Sequence, residues 1–356
     1  MQKFNPRQTI SFKNQMPELR KDPIVGRWVI IATERQRRPG NFVDADDNTF
    51  QGGEDCPFCR DEDPAVIAIG EKGTECSGRD PWKVKVVSSG SPIVRQDVKW
   101  ERKGQGLYDV MNGYGVHEVV IETPEHIANM ADLDAQQIKL VFHAYAARMK
   151  ALEEDPRLQY VLAYKNYGWV AGSRRIGHSR SQIVGTPVNP LRVKEKLNGA
   201  KKYFDYHDRC IYCDLIHQEQ EQKKRVVLES EAFIAVTPFA ARFLFELLVI
   251  PKKHDCDFAQ GILGREDDLA GFLKELLLRI KTGLNDPAYN FVIQTSPFRR
   301  EKDKKTKWKT IEDDYHWHIE IMPRLTRIAG FEKGTGFYIC SIPPEDTAEY
   351  LRGVKI

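Results

Sequence analysis

Long apolar segments are scarce in this chain. The longest largely apolar run lies around residues 243–250, far short of the roughly 20 residues that a membrane-spanning helix needs. The N-terminal segment, which begins Met1-Gln2-Lys3-Phe4-Asn5-Pro6, has no apolar signal region. These two absences predict a cytoplasmic protein with no membrane partner.

The chain also lacks an excess of charge of either sign. Its 54 basic and 51 acidic side chains leave a formal net charge of +3, so the overall balance gives no reason to expect nucleic acid as a partner. Any anionic partner must be held by a local site. With 356 residues, of which 41% are apolar, the chain can bury a full core and suggests two domains or one duplicated domain.

A disulfide framework is missing as well. The chain has seven cysteines, an odd number, and four of them form two Cys-x-x-Cys pairs, which in a reducing compartment are typical of metal ligands. Each pair is followed by two widely spaced histidines, which gives the quartets Cys56, Cys59, His117, His178 and Cys210, Cys213, His254, His316. The histidines are 61 residues apart in the first quartet and 62 in the second. Because zinc prefers four such ligands in a tetrahedron, we predict a duplicated module with two zinc sites per chain.

The two halves repeat the same order of patterns, namely strand, helix, strand, strand. In the first half, residues 117–122 and 160–164 read as strands on either side of a helix near 132–154, before His178. In the second half, strands at 245–250, 289–293 and 316–322 accompany a helix near 266–284. We interpret the polar, lysine-rich residues 188–205 as the connection and the charged residues 299–314 as a solvated loop.

Several of these motifs resemble those of the galactose-1-phosphate uridylyltransferase family. The matching segments are 19–23, 35–39, Cys56-Pro-Phe-Cys59, 115–119, His178-x-x-x-Gln182, 315–320 and the glycine-rich 330–336. The likeness runs from about residue 18 to the C-terminus. It implies an α+β fold, in which a duplicated histidine-triad-like module forms an antiparallel sheet with helices packed on it. We place the two halves at residues 1–190 and 191–356, each with one zinc site, and the nucleotide pocket in the first.

The resemblance also implies a homodimer that transfers a nucleoside monophosphate between a sugar phosphate and a nucleotide sugar. The family's first half carries His-x-His-x-Gln, in which the first histidine binds zinc and the second attacks the α-phosphate. This chain reads His178-Ser-Arg180-Ser-Gln182. A guanidinium stays protonated and has no lone pair to offer phosphorus, and zinc would occupy the lone pair of His178. Arg180 can instead hold an anionic oxygen through a bidentate fork.

Arg180 and Gln182 are therefore the predicted catalytic residues, both as stabilisers of charge on a phosphate oxygen. We expect a substrate contact from Arg174, which with Arg175 adds two cations to the turn before His178 that the family lacks. The resemblance assigns nucleotide or substrate contacts to Arg35, Arg38, Asn166, Gly168, Gly172, Phe331, Lys333 and Thr335. The last three are expected to reach the sugar in the other subunit. His318 takes the place of Arg180 in the second half, and we interpret it as structural rather than as a relocated nucleophile.

Three functions stay open at this stage. The default is uridylyl transfer to a hexose 1-phosphate, by a mechanism that Arg180 has altered. The second is phosphorolysis of an adenylyl compound such as ADP-glucose or adenylylsulfate, for which the added arginines suit an inorganic anion. The third is a catalytically inactive protein that binds a nucleotide sugar.

Overall fold

The computed structural model describes residues 18–32, 53–61, 63–77, 81–173, 176–300 and 308–356. Its strands are β1 (Glu18–Lys21), β2 (Trp28–Ile31), β3 (Ala65–Ile69), β4 (Val84–Ser88), β5 (Arg102–Gln105), β6 (Tyr108–Met111), β7 (Val116–Ile121), β8 (Tyr160–Tyr167), β9 (Arg180–Thr186), β10 (Val226–Glu229), β11 (Phe233–Val236), β12 (Leu247–Pro251), β13 (Tyr289–Gln294), β14 (His318–Pro323) and β15 (Tyr338–Cys340). Its α-helices are α1 (Pro57–Arg60), α2 (Ala135–Glu153), α3 (Leu191–His207), α4 (Ile211–Gln222), α5 (Phe258–Gly261), α6 (Glu266–Gly283), α7 (Ile311–Asp314), α8 (Gly330–Thr335) and α9 (Pro344–Gly353).

Ten strands form one sheet in the order β10-β11-β12-β14-β13-β8-β9-β7-β4-β3, and all of its neighbouring strands are antiparallel. The order is symmetric about the β13-β8 pair, with five strands from each half on either side. The duplication expected from the repeated sequence pattern is thus visible in the sheet itself, and the sheet runs through both halves without a break.

The long helices α2 and α6 pack side by side on one face of this sheet and form the main core. Both begin with helix-stabilising carboxylates. Asp134 caps α2 by accepting a hydrogen bond from the Gln137 amide at 2.7 Å, and α6 has three acidic residues in its first turn. Each helix presents an apolar stripe at helical spacing, which the sheet covers.

The opposite face of the sheet is covered differently in the two halves. In the second half, α3 and α4 pack on it through two further apolar clusters. In the first half, strands β7, β8 and β9 alternate buried with half-exposed side chains, and none of the described helices contributes an apolar cluster there. The half-exposed side chains of this first-half face include His117, Tyr164, Arg180 and Gln182.

Most predicted elements are present, and the predicted α+β class with an antiparallel sheet is confirmed. The connection at 188–205 contains helix α3, which the sequence did not predict and whose Val193, Leu197 and Ala200 are buried at helical spacing. One interpretation was wrong. The segment 299–314 is not solvated throughout, since Ile311 lies in an apolar cluster and is 2% exposed. The boundary between residues 190 and 191 stays a prediction.

Among the described residues, every helix is too short or too polar to cross a membrane.

Candidate active site and metal centres

The first metal-type cluster joins Cys56, Cys59, His126 and His178, whose ligand atoms lie within 4.8 Å of one another. Cys59 Sγ is 3.3 Å from His126 Nδ1 and 3.5 Å from His178 Nδ1. Bonds of about 2.3 Å to sulfur and 2.05 Å to nitrogen, at a tetrahedral angle, would place the two atoms about 3.6 Å apart. The donor set and its spacing therefore fit a tetrahedral zinc ion.

His117, which the sequence placed in this cluster, is not part of it. The cluster lies beyond the end of β7, where His178 Nε2 donates to the Thr123 carbonyl at 2.8 Å. His117 precedes the end of β7 by four residues, about 13 Å back along an extended strand. The spacing from His117 to His178 nearly equals that from His254 to His316 only by coincidence. The segment between β13 and His316 (295–315) is longer than the one between β8 and His178 (168–177), so equivalent histidines are not equally spaced in the two halves. His126 is the counterpart of His254.

The second cluster consists of the four residues expected from the sequence, Cys210, Cys213, His254 and His316. Cys213 Sγ is 3.3 Å from His254 Nδ1 and 3.7 Å from His316 Nδ1. Hydrogen bonding from the Cys210 thiol, together with the two histidines, lowers the pKa of Cys213 to about 3. A thiolate is the form that binds a metal, so this cluster also fits a zinc ion.

In three of the four cluster histidines a backbone carbonyl sets the tautomer. Nε2 of His178, His254 and His316 each lies 2.8–2.9 Å from a carbonyl oxygen, which can only accept. The proton is therefore on Nε2, and the Nδ1 lone pair faces the thiols. This is the arrangement in which a ligating imidazole is oriented by its second nitrogen. Burial also lowers the pKa of His178, which favours the neutral form.

Arg180 is the first residue of β9, two residues after the cluster histidine His178. Its side chain folds back over the loop that precedes the strand. Its Nη1 donates to the carbonyls of Ile176 and His178, both at 3.1 Å, and its Nη2 donates to Ser173 Oγ at 2.9 Å. The guanidinium also lies over the Phe58 ring, 5.5 Å from its centroid. The side chain is half-buried. Arg180 therefore ties the loop to the strand and brings a fixed positive charge to this edge of the first-half face.

Gln182 lies two residues further along β9 on the same face. Its Oε1 accepts from Tyr164 Oη at 2.9 Å and is 2.8 Å from His117 Nε2. The backbone amide of Ile93 donates to His117 Nδ1 at 3.2 Å, so the ring proton of neutral His117 is on Nε2 and is donated to Gln182. With Oε1 occupied twice, the N–H bonds of the Nε2 amide group are what Gln182 could offer to a ligand.

His117 is thus an imidazole outside the metal clusters in the same site as Arg180 and Gln182, which the sequence did not place there. In this arrangement it has no lone pair to offer, because Nδ1 accepts from Ile93 and Nε2 carries the donated proton. The imidazole is held as a hydrogen-bond donor. No sequence signal identified this role, since His117 and Gln182 meet only through the pairing of β7 with β9.

The predicted residues Asn166, Gly168 and Gly172 lie together at the end of β8. Gly168 and Gly172 have φ values of 83° and 92°, which a side chain would strain, and they enclose one short helical turn at Trp169–Ala171. Asn290 on β13 donates to Asn166 Oδ1 and to the Ala171 carbonyl, both at 2.8 Å. The second half thereby fixes the turn that leads towards Ser173 and Arg180.

A buried ion pair below this face was missed from the sequence. Lys165 Nζ donates to Glu122 Oε2 at 2.6 Å, and both side chains are almost fully buried. The same ammonium donates to Ser179 Oγ and to the Arg180 carbonyl, at 3.0 and 3.1 Å. It fixes β9 between the metal-cluster histidine and Arg180. A lysine directly after the largely apolar run 160–164 of a strand is the signal that could have indicated an acidic partner.

The remaining predicted residues fall elsewhere. Arg35, Arg38 and Arg174 lie outside the described residues. Phe331, Lys333 and Thr335 lie on α8, not on an open loop, and all three are exposed. Their expected contact with the other subunit stays a prediction.

The sequence relatives agree with this architecture. Residues 85–190 match the N-terminal domain, and residues 196–335 the C-terminal domain, of galactose-1-phosphate uridyl transferase. The chain is 34% identical to ADP-glucose phosphorylase of Arabidopsis thaliana, over 97% of this chain and 95% of the relative. It is 25% identical to the galactose-1-phosphate uridylyltransferase of Thermotoga maritima, over 96% and 99%.

A solved structure extends this agreement to the fold. The crystal structure of an Arabidopsis thaliana ADP-glucose phosphorylase with bound ADP-glucose has a TM-score of 0.77 and 32% identity, and the match covers 96% of this chain and 100% of that chain. Fold and relatives together define a nucleotidyl-transferring enzyme on a duplicated α+β scaffold. The chain belongs to the galactose-1-phosphate uridyl transferase family.

Proposed function

We propose that this chain catalyses phosphorolysis of a nucleotide sugar of the ADP-glucose kind. An oxygen of inorganic phosphate forms a bond to the α-phosphorus, and the bond from that phosphorus to the bridging oxygen breaks. The products are a nucleoside diphosphate and a sugar 1-phosphate. The 34% identity to an ADP-glucose phosphorylase over nearly the whole chain supports this substrate class.

The mechanism rests on the two histidines near Gln182, His117 and His178, because both nitrogens of each ring already have a partner. His178 directs Nδ1 at the thiols and Nε2 at Thr123, and His117 has both nitrogens hydrogen-bonded. Neither offers a lone pair for attack on phosphorus. We infer that phosphate displaces the sugar phosphate directly, in a single in-line step without a nucleotidyl-enzyme.

Two side chains are proposed to stabilise the charge on the α-phosphoryl group. Gln182 would donate from Nε2 to a non-bridging oxygen, with its amide already oriented by His117 and Tyr164. Arg180 would contribute positive charge at the strand edge while it holds the loop from Ser173 to His178. Asn166, Gly168 and Gly172 would shape the adjoining wall, and Arg35, Arg38 and Arg174 remain proposed phosphate contacts.

We propose zinc for both clusters, with structural roles. In the first half, Cys56, Cys59, His126 and His178 would hold the ion and so fix the start of β9 next to the reacting groups. In the second half, Cys210, Cys213, His254 and His316 would join α4 to the segment before β14. A cytoplasmic homodimer, with Phe331, Lys333 and Thr335 reaching the partner's sugar site, also remains part of the proposal.

Uridylyl transfer between UDP-glucose and a hexose 1-phosphate is the second candidate. The family match and the relative from Thermotoga maritima favour it. The two reactions differ in acceptor, because one uses inorganic phosphate and the other a sugar phosphate. Adenylylsulfate would be an alternative donor in the first reaction.

Initial rates with purified metal-loaded protein separate these functions. ADP-glucose, UDP-glucose and adenylylsulfate are each supplied with no acceptor, with inorganic phosphate or with galactose 1-phosphate. The proposal predicts release of glucose 1-phosphate from ADP-glucose only when phosphate is present. Turnover of UDP-glucose only with galactose 1-phosphate would support the second candidate, and binding without any turnover would identify an inactive nucleotide-sugar-binding protein.

A further inference from the structure

The two metal-type clusters have the same ligand types but differ in their exposure to solvent. Cys59 and His126 of the first cluster are exposed, whereas Cys213 and His254, their counterparts in the second, are half-buried. Each of these pairs is joined by a sulfur–nitrogen contact of 3.3 Å, and that contact is exposed in the first cluster but partly buried in the second. The first cluster is therefore open to small solutes on one side.

The turns that carry the cysteine pairs explain part of this difference. Cys56 and Cys59 belong to the turn that forms the four-residue helix α1, none of whose residues is buried apart from the preceding Cys56. Cys210 and Cys213 lie at the start of the 12-residue helix α4, and the two residues between them are buried in an apolar cluster. The first pair thus lies on a short surface turn, and the second on a helix that is anchored in the core.

A longer connecting segment contributes to the cover of the second cluster. Helix α7 belongs to this segment, residues 295–315, and the carbonyl of its residue Glu312 accepts from His254 Nε2 at 2.9 Å. The first half has only residues 168–177 in this place. In the part of the chain that the structure describes, no carbonyl oxygen takes the corresponding position beside His126. The extra residues of the second half therefore protect a histidine whose counterpart is exposed.

We propose that the first cluster is an oxidation site for peroxides, which convert Cys56 and Cys59 into a disulfide and so release the metal ion. The Cys59 thiolate attacks one oxygen of hydrogen peroxide, the O–O bond breaks with loss of hydroxide, and the sulfur becomes a sulfenic acid. The Cys56 thiolate then attacks that sulfur and displaces a second hydroxide. The two thiolates lose two electrons, and two protons convert the hydroxides to water.

The geometry of the first cysteine pair permits this disulfide. The Cys59 amide donates to the Cys56 carbonyl at 3.2 Å, so the pair closes a single turn, and all ligand atoms of the cluster lie within 4.8 Å of one another. Cys-x-x-Cys turns of this kind form disulfides in thiol oxidoreductases. Both cysteines of either cluster are thiolates when they hold a metal ion, so access rather than acidity separates the two clusters. After oxidation only two histidines remain, too few for a closed tetrahedral site.

Oxidation at this cluster would affect the candidate active site through Arg180. The guanidinium carbon lies 5.5 Å from the ring centroid of Phe58, which stands between the two cysteines, and Nη1 donates to the His178 carbonyl at 3.1 Å. Arg180 therefore contacts both parts of the chain that a metal ion would join. Loss of the ion should thus lower the activity as well. This inference rests on the zinc sites proposed above and not on the choice of substrate.

Graded oxidation of the full metal-loaded protein with hydrogen peroxide tests the proposal. A colorimetric chelator measures the released metal, and peptide mass mapping locates the disulfides. We expect release of one of the two metal ions per chain together with a disulfide between Cys56 and Cys59, while Cys210 and Cys213 stay reduced. Treatment with dithiothreitol and zinc should restore the lost ion.

A matched pair of serine variants assigns the release to one cluster. Cys59→Ser and Cys213→Ser should each contain a single metal ion. Peroxide should release none from Cys59→Ser, whereas it should release the remaining ion from Cys213→Ser as it does from the parent. Thermal unfolding shows whether each variant is folded, and if one is not, the disulfide map of the parent decides.

Three results would overturn the proposal. These are release of metal from both clusters at similar rates, a disulfide between Cys210 and Cys213 at the same peroxide concentration, and persistence of Cys56 and Cys59 as free thiols. Metal analysis before peroxide is added shows separately whether the zinc sites are as proposed. The disulfide map needs no turnover, so its result does not depend on the proposed reaction.

Discussion

His117 and Gln182 are joined across two strands by a hydrogen bond of 2.8 Å from the imidazole Nε2 to the amide oxygen. The oxygen also accepts from Tyr164, so a flip of the amide would lose two hydrogen bonds. These two contacts therefore fix the orientation of the Gln182 amide, and under the proposed function its Nε2 group is the donor to the substrate. Such prior orientation is the main contribution that a neutral side chain can make to stabilising a phosphoryl group.

Replacing His117 tests this orientation. His117→Leu removes the donor, and we expect kcat to fall about threefold to tenfold, the effect of one neutral hydrogen bond, with a smaller change in KM. His117→Gln restores an N–H donor near the position of Nε2 and should recover part of the loss. Steady-state rates with ADP-glucose and phosphate measure both variants.

The same change at a histidine outside the site provides the control. His143 lies on α2, and His143→Gln should leave kcat and KM unchanged. If His117→Leu retained full kcat, Gln182 would not depend on His117 for its orientation.

The metal assignment is tested by a pair of alanine variants. His126→Ala should lose one of the two metal ions per chain, because it removes a ligand of the first cluster. His117→Ala should keep both. Elemental analysis of the purified variants gives the count, and loss of metal from His117→Ala alone would contradict the geometry of the first cluster.

Arg180→His would place an additional imidazole beside His178, a residue of the first cluster. If the rest of the site can support nucleophilic attack, the variant should form a nucleotidyl-protein adduct with ADP-glucose that intact-mass spectrometry detects. The parent protein should show none under the same conditions. An adduct on the parent, at His117 or any other residue, would refute direct displacement.

Acid unfolding should depend on Asp155. Hydrogen bonds from Arg157, reinforced by Tyr114, lower the pKa of Asp155 to about 2. In the unfolded chain an aspartate has a pKa of about 3.9. Between about pH 2 and pH 4 the unfolded chain therefore binds a proton at this residue more readily than the folded protein does. The stabilisation is therefore complete above about pH 4 and is lost as the pH falls towards 2. Asp155→Asn should flatten the decline in urea-unfolding free energy over that interval.

An exposed carboxylate serves as the comparison for this experiment. Asp109 pairs with Arg102 on the β5-β6 hairpin, and both side chains are more than 60% exposed. Asp109→Asn should leave the decline of the unfolding free energy between about pH 4 and pH 2 close to that of the parent, because an exposed ion pair contributes little to stability. Equal effects of the two variants would argue against a special role of Asp155.

Periodicity and local motifs predicted most of the fold but only part of the site. Helices α2 and α6 and their flanking strands could be predicted because each buries one apolar face. Helix α3 was missed because only three of its residues are buried and the rest are largely polar and charged. Its i, i+4, i+7 spacing at Val193, Leu197 and Ala200 was the available signal.

The metal clusters show the limit of arguments from spacing. All four residues of the second cluster were named from the sequence, whereas in the first the regular interval to His178 led to His117, and His126 was missed. Intervals between distant residues change with loop length, and the segment before His316 is longer than its counterpart before His178. The contact between His117 and Gln182 depends on strand register, which the sequence leaves open until the strands are paired.

The stereochemical course at the α-phosphorus tests direct displacement most directly. A nucleotide sugar made chiral at that phosphorus with sulfur and oxygen isotopes is converted with inorganic phosphate, and the configuration of the resulting nucleoside diphosphate is determined. A single in-line attack by phosphate predicts inversion. Retention would require two successive displacements through an enzyme-bound nucleotide and would contradict the roles assigned here to Arg180 and His117.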